Sequence, residues 1–118
     1  MPVLEAMACG LPTIATNWSG PADFLNEEIG YPLGVSSLVP AEARCAYYKG
    51  FEWAEPDPDH LRFLMREVYE HSDVARAKGL RAAEEVASNY SWGRAASHIV
   101  QRLAELGETA DNVSRSLD

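Results

Sequence analysis

Glu5 is the charged side chain in the small, apolar run Pro2-Val3-Leu4-Glu5-Ala6-Met7-Ala8, and its chemistry has two readings. A carboxylate in the first turn of a helix is favoured by the partial positive charge there, by about 0.3–1 kcal/mol, with no further role needed. The same group held at a helix entrance offers two acceptors to a pair of vicinal hydroxyls, as the acidic residue of dinucleotide-binding folds does for ribose. Other reactive residue types are not arranged for catalysis. His60, His71 and His98 lack the spacing that would set them on one helix face as metal ligands, and read as surface or helix-end residues. Asp57 and Asp59 flank Pro58 just before a periodic helix, so capping explains them better than a catalytic carboxylate pair. The chain has no Gly-x-Ser-x-Gly turn, phosphate-cradling glycine loop or Cys-x-x-Cys pair. Trp18, Trp53 and Trp92 do not align as a stacking platform, and helix starts and loop packing account for them more simply.

The elements that must position these residues alternate from the start. Pro2 suits a first helical turn, Leu4 to Ala8 continue as helix formers, and Gly10 supplies the stop. Thr13 to Thr16 is a β-prone run leading into Asn17-Trp18-Ser19-Gly20-Pro21, where Ser19 is predicted to cap a helix over about residues 21–26 that carries Asp23 near its start. Tyr31 to Val35 and Ala46 to Tyr48 are predicted as short strands, with residues 40–44 a loop between them. Asp57 caps a clear helix in which Leu61, Leu64, Met65 and Val68 recur at three- and four-residue steps. A further helix runs from Ser72-Asp73 to about Asn89, with Gly79 allowing another backbone to approach closely. Ser91 caps the last, whose stripe is Trp92, Ala96, Ile99, Leu103 and Leu106; residues 107–118 are polar and read as a flexible tail.

The 118 residues are 47% hydrophobic, enough for one modest core. A formal charge of −8 leaves no basic field for a nucleic-acid backbone or an anionic membrane surface. No apolar run approaches the ~20 residues of a membrane span. Cys9 and Cys45 show no metal-ligand spacing and make no disulfide framework, so a reducing cytoplasm is the expected location.

The segment from Pro2 to Leu25, PVLEAMACGLPTIATNWSGPADFL, resembles the C-terminal signature of the retaining nucleotide-sugar glycosyltransferases with the GT-B fold. That family's segment usually reads Glu-Gly-Phe-Gly-Leu-Pro-x-x-Glu-Ala-Met-Ala-Cys-Gly-x-Pro-Val-Ile-Ala-Thr, followed by a Gly-Gly-Pro-like turn and an acidic residue, the place taken here by Asp23. Trp53 to Leu103 is similar to the family's closing helices, including the start at Tyr90-Ser91-Trp92; residues 34–51 lie outside the likeness. The resemblance implies an α/β fold: a partial Rossmann-like, donor-binding domain over residues 1–106, with short parallel strands followed by three C-terminal helices. It implies transfer of a hexose from a nucleoside-diphosphate sugar to an acceptor hydroxyl with retention of configuration, and no cofactor or required metal. Of the family's two motif glutamates Glu5 aligns with the second, which implies contact with the donor ribose; backbone groups at Met1 and Pro2 would line the donor pocket. The first glutamate would fall four positions before Met1. The expectation is therefore a C-terminal fragment that binds donor but lacks the basic pair for the diphosphate and the N-terminal acceptor domain, its partner, and is inactive alone. The alternative is a non-catalytic helical interaction module left from such a truncated enzyme. If the last helix normally crosses onto the N-terminal domain, Trp92, Ile99 and Leu103 should lack part of their cover.

Overall fold

The computed structural model describes residues 2–41 and 46–115. The chain divides into two units, Met1–Glu84 and Glu85–Asp118.

In the first unit the opening helix, α1 (Pro2–Ala8), buries Leu4 and Met7 and leaves Glu5 exposed. It ends in a Schellman turn. Leu11 N–H donates to the Ala6 carbonyl at 3.2 Å, and Gly10 N–H donates to the Met7 carbonyl at 2.9 Å. This closure requires the left-handed backbone that Gly10 adopts, at φ 72°. The chain then enters β1 (Ile14–Thr16), which pairs in parallel with β2 (Tyr31–Leu33), Ile14 opposite Tyr31 and Thr16 opposite Leu33.

Between these strands the predicted helix is replaced by a single 3₁₀ turn, Gly20–Asp23, and Ser19 makes no side-chain cap bond. Its φ of 53° is the reason for the difference, because the residue before a helix caps best from an extended backbone. β3 (Val35–Pro40) and β4 (Glu52–Pro56) form an antiparallel pair with a bulge between Val35 and Ser37, so only one of the two strand pairs is parallel. β4 was not predicted, and Ala46–Tyr48, predicted as a strand, is a 3₁₀ turn. Both β3 and β4 are mostly solvent-facing and so lack the one-sided apolar alternation that marks a half-buried strand. The predicted loop begins with Pro40, which ends β3; residues 42–45 lie outside the described residues.

Asp57 caps α2 (Pro58–Glu70) as expected, accepting from the backbone N–H groups of Asp59 at 2.9 Å and His60 at 3.0 Å. Donation from the His60 N–H above all holds its carboxyl below its ordinary pKa; desolvation opposes it, and donation from Asp59 adds to the lowering. The inward face of α2 packs on β2. Tyr31, Leu33, Leu64 and Ala75 form the core, flanked by Ile14, Leu61 and Val68. Full burial of a residue such as Leu64 contributes on the order of 1.5–3 kcal/mol.

His60 is not merely a surface group. Its Nδ1 accepts from Gly34 N–H at 2.9 Å, tying the start of α2 to the β2–β3 junction. Burial, helped by Glu67, raises the Tyr31 phenol above its ordinary pKa. Gly79 of α3 (Ser72–Asn89) lies against the α1–β1 turn, where an added Cβ would sit 2.9 Å from the Gly10 carbonyl carbon and 3.0 Å from that of Leu11. Arg81 reinforces the docking by donating to the Glu28 carbonyl from Nε and Nη2 at 3.1 and 2.9 Å.

In the second unit Ser91 Oγ accepts from Arg94 N–H at 3.2 Å and so caps α4 (Trp92–Arg115). This helix continues through residues 107–115, part of the segment expected to be a flexible tail. Trp92 is 93% exposed, and Ile99, Leu103 and Leu106 are also exposed. No helix among the described residues is long and apolar enough to cross a membrane.

Candidate functional site

Parallel strands present ligand sites at their carboxyl ends, and β1 ends at Thr16. The largest of the clefts bordered by α1, about 690 Å³, opens there. Thr16 and Trp18 supply one side, Val3 of α1 another, and Tyr48, Phe51 and Trp53 the third, around the start of β4. Among the described residues its charged group is Glu52. Tyr48 and Trp53 lie with ring centroids 5.6 Å apart at 41°, and the Tyr47 ring stands edge-on to Tyr48. Trp18 and Trp53 therefore line one cleft, a role beyond the helix-start and loop packing expected of them. No signal local to either residue discloses this pairing. It arises because the β3–β4 ladder sets Trp53 opposite Val39 and carries it to the end of β1.

The residues expected to hold a donor are placed as follows. Glu5 is exposed on α1 and is not part of the lining of the aromatic cleft or of the smaller cleft that Pro2 lines. Helical residues two positions apart do not face each other, so Val3 lines the aromatic cleft and Glu5 does not. Pro2 lines a smaller apolar cleft of about 220 Å³ with Leu4, Gly20 and Phe24. Met1 lies outside the described residues. Asp23 is exposed in the 3₁₀ turn. The structure thus sets Glu5 and Pro2 on one short helix.

His71 Nδ1 lies 2.9 Å from Glu67 Oε1, an (i, i+4) pair along α2, and His98 is exposed on α4. Among the described residues no group of three or more His, Cys, Asp or Glu side chains could hold a metal ion. Ser19, in the wall of the aromatic cleft, holds its positive φ without a side-chain hydrogen bond to the turn that follows.

Sucrose synthase 2 of Pisum sativum is 35% identical to this chain over 72 residues, 58% of this chain and 9% of that protein. The chain therefore spans less than a tenth of the length of the curated relative it matches. No family model matches the chain, and no solved structure matches it.

Proposed function

We propose that this chain carries part of the donor-binding half of a glycosyltransferase, a retaining enzyme that moves a hexose from a nucleoside-diphosphate sugar to an acceptor hydroxyl. The observation that carries the reading is the 35% identity over 72 residues to a sucrose synthase, a protein named for making a glycosidic bond. The motif containing Glu5 supports it, as does the order of helix α1, Schellman turn and parallel strand β1.

The role proposed for Glu5 is to accept from the two ribose hydroxyls and so orient the donor. Bond cleavage requires cationic groups or helix N-termini facing the leaving diphosphate, and among the described residues no lysine or arginine lines the aromatic cleft. The proposal is accordingly confined to donor binding. A charged hydrogen-bonding group contributes on the order of 1.5–3 kcal/mol, so Glu5→Ala should weaken binding by roughly tenfold to a hundredfold. The test is an amide-resonance titration of the chain with uridine, adenosine and guanosine diphosphate glucose. Saturable shifts along α1 that weaken in the variant are the expected result. Equal affinity in both proteins would remove Glu5 from the site, and no response to any of the three would refute donor binding.

The exposed stripe on α4, with Trp92 93% and Leu103 63% accessible, favours a second reading. On it the chain is an interaction module whose last helix docks on a partner through that stripe. Light scattering that reports association unaffected by nucleotide would support it over the donor reading.

A further inference from the structure

The aromatic cleft is not used by the donor reading, and its composition is unusual for a surface. Trp18, Tyr48, Phe51 and Trp53 are 44, 43, 62 and 51% exposed, whereas Tyr31 in the core is 5% exposed. Each such ring offers 150–250 Å² for burial, so the four leave on the order of 400 Å² of aromatic surface open in one place. A patch of that size on one small unit marks a binding site more often than a packing accident. The cleft volume of about 690 Å³ falls within the range of small-molecule sites, which are mostly apolar with a few placed polar groups.

We propose that this cleft, walled by Trp18, Tyr48, Phe51 and Trp53 with Glu52 and Thr16 as its polar groups, binds an uncharged pyranose unit of a saccharide. The chemistry of the wall selects that class. An aromatic face is electron-rich, and the C–H-bearing face of a pyranose presents weakly positive hydrogens to it. The hydroxyls around the sugar's rim then need acceptors and donors. The Glu52 carboxylate can accept from two neighbouring hydroxyls, the Thr16 hydroxyl can do either, and the indole N–H groups of Trp18 and Trp53 can donate. None of these side-chain groups is hydrogen-bonded to another described residue.

Anions are disfavoured, because the charge in the wall among the described residues is a carboxylate and the whole chain carries −8. A flat nucleobase is a poorer fit than a chair-shaped ring, since Tyr48 and Trp53 are inclined at 41° and present no parallel slot. The inference goes beyond the donor reading and does not need it, as Glu5 does not line the cleft.

The test uses the full chain labelled with nitrogen-15 and follows the tryptophan indole N–H resonances. The probes are maltotriose, cellotriose and mannotriose, each to about 20 mM, well above a millimolar Kd. Adenosine and inorganic phosphate are the competing classes. At least one saccharide should shift the indole resonances of Trp18 and Trp53 saturably. Phe51→Ala and Glu52→Gln alter exposed side chains, so the fold should survive; each should weaken saccharide binding at least fivefold with the amide spectrum preserved. The proposal is overturned if no saccharide shifts the two indoles, if both variants bind as the parent does, or if adenosine binds where saccharides do not. Loss of nucleoside-diphosphate-sugar binding with saccharide binding intact would count against the donor reading alone.

Discussion

Replacing Gly79 by alanine tests the contact that holds α3 against the α1–β1 turn. On helix propensity alone the change would stabilise α3 by about 0.8–1 kcal/mol. The packing opposes it. The new methyl would lie 2.9 Å from the Gly10 carbonyl carbon and 3.0 Å from that of Leu11, with the Gly10 oxygen closer still. These are backbone atoms of a turn locked by two hydrogen bonds, so no rotamer change relieves the clash. Overpacking of this kind costs about 1–3 kcal/mol, and against rigid backbone the upper part of that range applies. The net expectation is a loss of about 1–2 kcal/mol, or a fall in melting temperature of roughly 5–15 °C for a unit of this size. Urea denaturation followed by circular dichroism should show a lower midpoint with an unchanged slope. Gly107→Ala is the control, since nothing lies within 4 Å of a Cβ there and the propensity gain should appear unopposed. A Gly79→Ala protein as stable as the parent, or more so, would refute the close-approach argument.

Three further outcomes follow from the geometry. Ser19→Gly should stabilise the protein by about 1 kcal/mol, because relief of a positive-φ backbone outweighs the entropy cost of glycine; a lower melting temperature would show that the turn is unstrained. The folded-state pKa of Asp57 is depressed, so its contribution is present above its ordinary value of 3.8 and is lost as pH falls through the lower folded value. Asp57→Asn keeps a capping acceptor and should flatten that acid limb of a stability–pH curve. The Tyr31 pKa is raised, so its contribution is intact below its ordinary value of 10.0 and is lost as pH rises through the folded value; Tyr31→Phe should remove this alkaline limb, as read by melting temperature between pH 9 and pH 12.

Much of the chain's local structure was legible in its residues. The stop at Gly10, the Asp57 cap, the α2 stripe and the close approach at Gly79 are decided by neighbours within one or two turns, where backbone sterics and orphan N–H groups act directly. The same locality failed at Ser19, where the chain bends back before a proline and the local capping signal gave way to the turn. It failed again at β3 and β4, whose pairing is set by a ladder between segments more than ten residues apart and whose side chains mostly face solvent.

The candidate sites divide in the same way. Glu5 could be singled out by residue type and motif, and its place on α1 follows from the sequence around it. The aromatic cleft could not be found that way. Trp18 and Trp53 each look like an isolated loop or strand aromatic until the β1 end and the β3–β4 hairpin are brought together. By itself, then, the sequence determined where most of the helices begin and end, because that depends on short-range backbone chemistry. Only the tertiary structure decided which aromatic rings share a cavity and that Glu5 does not line it, because both depend on contacts between distant segments.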